Sequence, residues 1–201
     1  MSGRGPIDGR WNHNIHYHRV VLDAVPDGAR TALDVGTGDG LLAADLATVV
    51  GSVTGIDADA EVLTSARRES SSVTWVHGDV MTHPFAPESF DVVASVATLH
   101  HLGDPATALR RLAGLTAPGG VMVVVGLART STLGDVAIHL VGQLQHRILS
   151  ARHGFWEHTA PKIWRQSHTY REMRTAAEEM LPGSRWRRLP MWRYAIVWRK
   201  P

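Results

Sequence analysis

Three glycines stand at alternate positions, Gly36, Gly38 and Gly40, within the run Ala-Leu-Asp-Val-Gly-Thr-Gly-Asp-Gly at residues 32–40. Glycine has no Cβ, so a ligand can approach this backbone closely and the chain can take positive φ. Asp57 follows 21 positions after Gly36, at the end of a second apolar run. A glycine loop with an acid at that distance suits an adenosine-containing ligand.

The spacing narrows the choice of ligand. A dinucleotide-binding loop would read G-x-G-x-x-G, but position 41 is Leu and the loop is G-x-G-x-G. Asp34 precedes the first glycine and Asp39 follows the second. A diphosphate would sit badly beside them, whereas a cation is favoured on Coulomb grounds. S-adenosylmethionine has a sulfonium, an ammonium and a single carboxylate.

Two other groups of side chains could do chemistry. His100 and His101 are adjacent, and histidine titrates near neutrality, which suits a general base. One of them could equally pack on a sheet and cap a loop. His13, His16 and His18 lie within six residues, a density that suggests a metal. No nearby Asp, Glu or Cys completes a coordination sphere, so no metal is expected.

The elements that position these residues follow from apolar patterning. Thr31–Val35, Val53–Ile56, Val73–Val76, Phe90–Val96 and Val121–Gly126 read as strands. Leu41–Val50 reads as a helix stopped by Gly51, and Asp59 caps another that runs to about Glu69. Asp104-Pro105 opens a helix to about Thr116, broken by Pro118-Gly119-Gly120. Alternating strands and helices predict a mostly parallel sheet with helices on both faces. Leu133–Leu149 and Tyr170–Met180 read as helices, His153–Ser167 as a loop. Trp186–Met191 and Tyr194–Trp198 read as an antiparallel hairpin.

These segments occur in the order of a known family. Gly55-Ile56-Asp57, His77-Gly78-Asp79-Val80, Phe90-Asp91-Val92-Val93 through Leu99-His100-His101-Leu102, and Leu115 through Gly120 join the glycine loop. With them the chain resembles a class I, Rossmann-like S-adenosylmethionine-dependent methyltransferase of the small-molecule group, closely over residues 30–127 and more loosely beyond. The resemblance implies a seven-stranded α/β sheet of order 3-2-1-4-5-7-6 with strand 7 antiparallel. It implies that Asp34, Gly36, Thr37 and Gly38 hold the methionine end, and that Asp57 accepts from the ribose hydroxyls. Ala58, Asp79 and Val80 would surround the adenine, and Val96 would lie beside the sulfonium. S-adenosylhomocysteine is the implied product, and His100 and His101 the candidate bases.

The resemblance also divides the chain, read as one domain over 1–201. Residues 1–30 would form a lid, with Tyr17 and His18 facing the ligand. Residues 31–127 would hold the cofactor, and 128–168 would form a substrate cap in which Trp156, His158 and Trp164 line a pocket. Residues 169–201 would supply the last helix and hairpin.

Net charge is +2, but residues 151–201 hold 11 Lys and Arg against 4 Asp and Glu, with five of the seven tryptophans. Such a composition can mark a nucleic-acid surface. The basic residues are spread over several elements, which favours solvated faces with arginine stems over apolar surface. Ser95-Val96-Ala97-Thr98 also lacks the Asn/Asp-Pro-Pro-aromatic pattern of enzymes that methylate amino groups in DNA and proteins. The expected acceptor is therefore the O, N or C of a small molecule. Methylation of RNA or another polyanion, or a non-catalytic binding role, are the alternatives. The chain has no cysteine, no signal-peptide core and no long apolar run. A soluble, cytoplasmic protein is expected, with monomer and homodimer both open.

Overall fold

The apolar runs that read as strands assemble side by side into one sheet. The computed structural model describes residues 9–157 and 167–201. In it β1 (Thr31–Val35), β2 (Ser52–Asp57), β3 (Val73–His77), β4 (Phe90–Val96) and β5 (Thr116–Leu127) are parallel neighbours. β6 (Arg185–Leu189) and β7 (Arg193–Arg199) form the antiparallel hairpin, and β7 pairs antiparallel with β5. The order is β3-β2-β1-β4-β5-β7-β6, as expected.

Side chains alternate across the strands, so each face of the sheet buries its own cluster. Leu33, Val93, Met122 and Ile196 point to one face. There they meet α4 (Pro105–Leu115) and α6 (Tyr170–Met180) through Leu109, Leu112, Met173 and Ala177. Ala32, Val53, Val92 and Val121 point to the other, against α1 (His18–Leu22) and α2 (Leu41–Leu46) through Val21, Leu42 and Leu46. α3 (Ala60–Glu69) connects β2 to β3 and is capped by the Asp59 carboxylate, which accepts from the Glu61 amide at 2.8 Å. α5 (Leu133–His153) and α6 each begin with a capping box, Thr132 with Asp135 and Thr169 with Glu172.

Three boundaries differ from the sequence reading by four residues or more, and one is α5, which runs to His153 past the expected Leu149. α2 ends at Leu46, four residues before the expected Val50, because Thr48 Oγ1 donates to the Asp45 carbonyl at 2.7 Å and tightens the chain into a turn. β5 begins at Thr116 and runs through Pro118-Gly119-Gly120. The Gly119 amide donates to the Lys200 carbonyl and the Lys200 amide to the Gly120 carbonyl, both at 3.0 Å, so the chain beyond β7 holds this stretch extended. Among the described residues no helix is long and apolar enough to cross a membrane.

Candidate functional site

The carboxyl ends of β1, β2 and β4 open into a cleft of about 1450 Å³. That exceeds the roughly 300–1,000 Å³ of a site for one small ligand, so two ligands can meet inside. Its two ends differ in chemistry.

The glycine loop forms the first end. Gly36, Gly38 and Gly40 have φ of 68°, 53° and 82°, a region that non-glycine residues rarely adopt. A Cβ on Gly36 would overlap the Thr98 side chain, whose hydroxyl donates to the Gly36 and Val96 carbonyls, each at 3.2 Å. One on Gly40 would stand 2.6 Å from the Trp75 ring. Positive φ and close packing together exclude a side chain at Gly36 and Gly40, and the loop meets the cleft as backbone.

Five carboxylates border the cleft: Asp34, Asp39, Asp57, Asp59 and Asp79. Asp34 is buried and accepts from Thr37 Oγ1 at 2.7 Å. Asp57 Oδ2 accepts from the Gly38 amide at 2.8 Å and Oδ1 from the Asp59 amide at 3.0 Å. Asp79 Oδ1 accepts from the Met81 amide at 2.9 Å, beside buried Val80. Ala58 borders the same space and takes a 3.1 Å contact from His77 Nε2 on its carbonyl.

Burial pushes the Asp34 carboxyl up to about 6, although Thr37 donates to it and His18 lies near. The folded protein thus holds this proton more tightly than the unfolded chain, where Asp titrates near 4. Its contribution to stability is complete below pH 4 and is lost as pH rises through 6. His13 and His100 act oppositely. Burial holds both at about 4, so their contribution is complete above pH 6.5 and is lost as pH falls toward 4. In Asp34→Asn the rise of stability between pH 4 and 6 is expected to become steeper, by up to about 1.4 kcal/mol per pH unit. Denaturant midpoints across that range check it; an unchanged slope contradicts the buried-acid assignment.

Between the ends lies the exit of β4. Ala97 has φ 57°, a strained conformation for a non-glycine residue, fixed by its amide bond to the Val125 carbonyl at 2.7 Å. The bend turns Val96 and Thr98 into the cleft. His100 and His101 follow in a short 3-10 turn, their ring centroids 4.1 Å apart. His101 is exposed and lies near Asp57, and burial lowers it while that carboxylate raises it. His100 is half-buried, and its Nδ1 is buried with no hydrogen-bond partner among the described residues.

The far end is a set of rings. His13 Nε2 and His146 Nδ1 are 2.9 Å apart, and Trp192 Nε1 donates to His139 Nδ1 at 2.7 Å. The His13 ring lies 5.2 Å from Trp192 and 5.6 Å from Phe155. Trp156 also lines the cleft, tied by its amide to the Trp11 carbonyl at 2.8 Å. Met191 and Trp192 take φ of 49° and 63° in the β6–β7 turn. That strain aims Trp192 inward.

All the cofactor residues predicted from the sequence, together with His100, His101, His18 and Trp156, border this one cleft. His18 is buried and its Nδ1 lies 2.7 Å from Asp45 Oδ2. Tyr17 corrects the lid expectation. Its hydroxyl donates to the Pro190 carbonyl at 2.7 Å, and its ring is buried with Trp11, Val125 and Met191, away from the cleft. The hydroxyl finds a buried acceptor in the hairpin turn, and the ring fills the gap beneath it. Trp164 and His158 lie outside the described residues. Sequence reasoning missed Asn12, Asn14, Trp192 and Arg193. Asn12 alone left a local signal, since Asn12 Oδ1 accepts from the Asn14 and Ile15 amides as a turn-opening asparagine does. Among the described residues no group of His, Cys, Asp or Glu is arranged to hold a metal ion.

In the basic C-terminal region Arg188, Arg193 and Lys200 are engaged within the fold, while Arg152, Arg171, Arg174, Arg185, Arg187 and Arg199 are exposed. Arg188 stacks 3.5 Å over the Tyr170 ring and lies 3.6 Å from Asp135. Lys200 pairs with Glu88 at 2.8 Å and Arg174 with Glu178 at 2.8 Å.

A family model described as "Methyltransferase domain" matches residues 33–124. An uncharacterised methyltransferase of Mycobacterium tuberculosis (strain ATCC 25618 / H37Rv) is 42% identical over 97% of this chain and 100% of its own length. A ubiquinone biosynthesis O-methyltransferase of Serratia proteamaculans (strain 568) is 40% identical over 96 residues, 45% of this chain and 40% of that protein. The crystal structure of a SAM-dependent methyltransferase from Aquifex aeolicus shares the fold, with a TM-score of 0.62 at 18% identity over 90% of this chain and 88% of that one.

Proposed function

The chain belongs to the class I S-adenosylmethionine-dependent methyltransferases, and from that premise we propose that it methylates an oxygen, nitrogen or carbon of a small, ring-bearing molecule seated among the rings of the cleft. The observation that carries this reading is the continuity of the cleft, with a glycine-and-carboxylate end and an aromatic end meeting at Val96 and His100. The name of the Serratia relative, an O-methyltransferase of ubiquinone biosynthesis, supports a small-molecule acceptor.

The residues fit the cofactor. The glycine loop brings bare backbone to the cleft, Asp34 suits the ammonium of the methionine end, and Asp57 suits the ribose. S-adenosylmethionine supplies a methyl carbon on a sulfonium, an already good leaving group. Most of what this chain must add is alignment and exclusion of water. Asp34 and Asp57 would hold the two ends of the cofactor, with Val96 beside the group to be transferred. The ring walls would hold a flat acceptor with its nucleophilic atom turned toward the cofactor end of the cleft. Where that nucleophile carries a proton, His100, which borders the cleft and is held neutral at pH 7 by burial, receives it.

Calorimetry with S-adenosylhomocysteine, then transfer of labelled methyl to a panel of phenols, amines and ring acids, tests the proposal. No binding at millimolar ligand overturns it. His100→Ala is expected to lower kcat by about 10²–10³ with the KM for S-adenosylmethionine nearly unchanged. The wild-type rate should fall as pH drops through about 4, and this limb should vanish in the variant. An unchanged kcat removes His100 as the base.

A further inference from the structure

Arg193 is a buried charge that methyl transfer by itself leaves without a purpose. It opens β7, borders the aromatic end of the cleft and is 6% exposed. Its Nη2 donates to Asn14 Oδ1 at 2.8 Å, its Nη1 makes a 3.5 Å contact with the Met191 carbonyl, and its Nε is buried with no hydrogen-bond partner. No carboxylate among the described residues pairs with it. Asp135, the acid on that side, is engaged by Arg188 and by the Ser131 and Thr132 amides. Burial lowers Arg193 to about 10, so it remains cationic at neutral pH. Its neighbour His13 is held neutral there. A buried cation without a counter-charge is costly, and the missing charge has room in the cleft.

We propose that Arg193 receives an anionic group of the methyl acceptor, making the substrate a flat carboxylic acid whose carboxylate pairs with the guanidinium while its nucleophilic atom faces His100. The inference rests on the methyl-transfer reading and names its substrate class. A guanidinium fork matches a carboxylate in shape and charge. A dianionic phosphate would need more donors than Arg193 offers here. The carboxylate of the cofactor itself is a poorer match. β7 lies three strand spacings from β1 in the sheet order, about 14 Å, whereas the methionine end must reach Asp34 and Gly36.

The test uses protein saturated with S-adenosylhomocysteine and matched pairs of acids and amides: hydroxybenzoates against hydroxybenzamides, dihydroxycinnamates against their amides. At least one acid is expected to bind at least about tenfold more tightly than its amide. Arg193→Gln should erase that preference and leave S-adenosylhomocysteine affinity unchanged. Asn14→Asp places a carboxylate against Nη2 with almost no change of shape, and should erase the preference too. It decides the matter if Arg193→Gln fails to fold. Equal binding of acid and amide in every pair, no binding by either member of any pair, or a preference that survives the substitutions overturns the proposal. So does a loss of S-adenosylhomocysteine affinity confined to Arg193→Gln, which would assign the arginine to the cofactor. Failure of the methyl-transfer reading is separable, because it shows as absent S-adenosylhomocysteine binding by wild-type protein before any acid is added.

Discussion

Asp57→Ala is expected to weaken S-adenosylhomocysteine binding by about 100-fold or more, from two losses that act together. A carboxylate offers about four lone-pair sites. Asp57 uses one on the Gly38 amide and one on the Asp59 amide, which leaves two for the two ribose hydroxyls. Each hydrogen bond to a charged acceptor contributes roughly 1.5–3 kcal/mol, and a tenfold change in affinity corresponds to about 1.4 kcal/mol. Alanine also releases the Gly38 amide, so the loop proposed to contact the methionine end loses one of its tethers to β2 and keeps the Gly36 and Thr37 amide bonds to the Ile56 carbonyl. Asp57→Asn keeps the shape and one carbonyl oxygen, and should fall between wild type and alanine. Calorimetry on the three proteins reads the series. An alanine variant within threefold of wild type would remove Asp57 from the cofactor site and leave it a loop-shaping residue.

Gly36→Ala is the second large effect, and it acts on folding as well as binding. The position has φ 68°, and a methyl group there would run into the Thr98 side chain. Left-handed backbone costs an L-residue about 1–2 kcal/mol, and overpacking about 1–3 kcal/mol. For a chain of this size the sum lowers Tm by roughly 4–20 °C. Binding of S-adenosylhomocysteine should also weaken, because the methyl displaces Thr98, which lines the cleft. Adding Thr98→Gly should recover the part due to crowding but not the part due to φ. Thermal denaturation of the single and double variants separates them. A single variant as stable as wild type would show that the loop can move aside, contrary to a rigid cradle.

The sheet was largely legible from the chain. Parallel strands buried on both faces must be nearly continuous in apolar residues, and Val92–Val93 and Val121–Val125 advertise this directly. The errors fall where tertiary partners override local signals. Pro118-Gly119-Gly120 reads as a break, yet the chain after β7 supplies the backbone bonds that extend it. Ala47–Val50 is a local exception, because Thr48 closes a turn on Asp45 three residues back. Tyr17 reads as a ligand-facing residue, yet the Pro190 carbonyl captures its hydroxyl.

The candidate site divides the same way. By itself the sequence marked out the proposed cofactor end, because Asp34, Gly36, Gly38, Asp57 and Asp79 sit at strand ends or in the loops that follow. There the type and spacing of a few neighbouring residues dictate backbone shape and charge. The aromatic end was decided by the tertiary structure alone. His13 meets His146 across 133 positions, and Arg193 meets Asn14 across 179. No local pattern encodes such contacts. They exist because β7 inserts antiparallel beside β5, which brings the hairpin turn, α5 and the N-terminal segment together over the exit of β4. The burial that leaves Arg193 without a counter-charge is a product of that assembly, and no reading of the residues around position 193 could have supplied it.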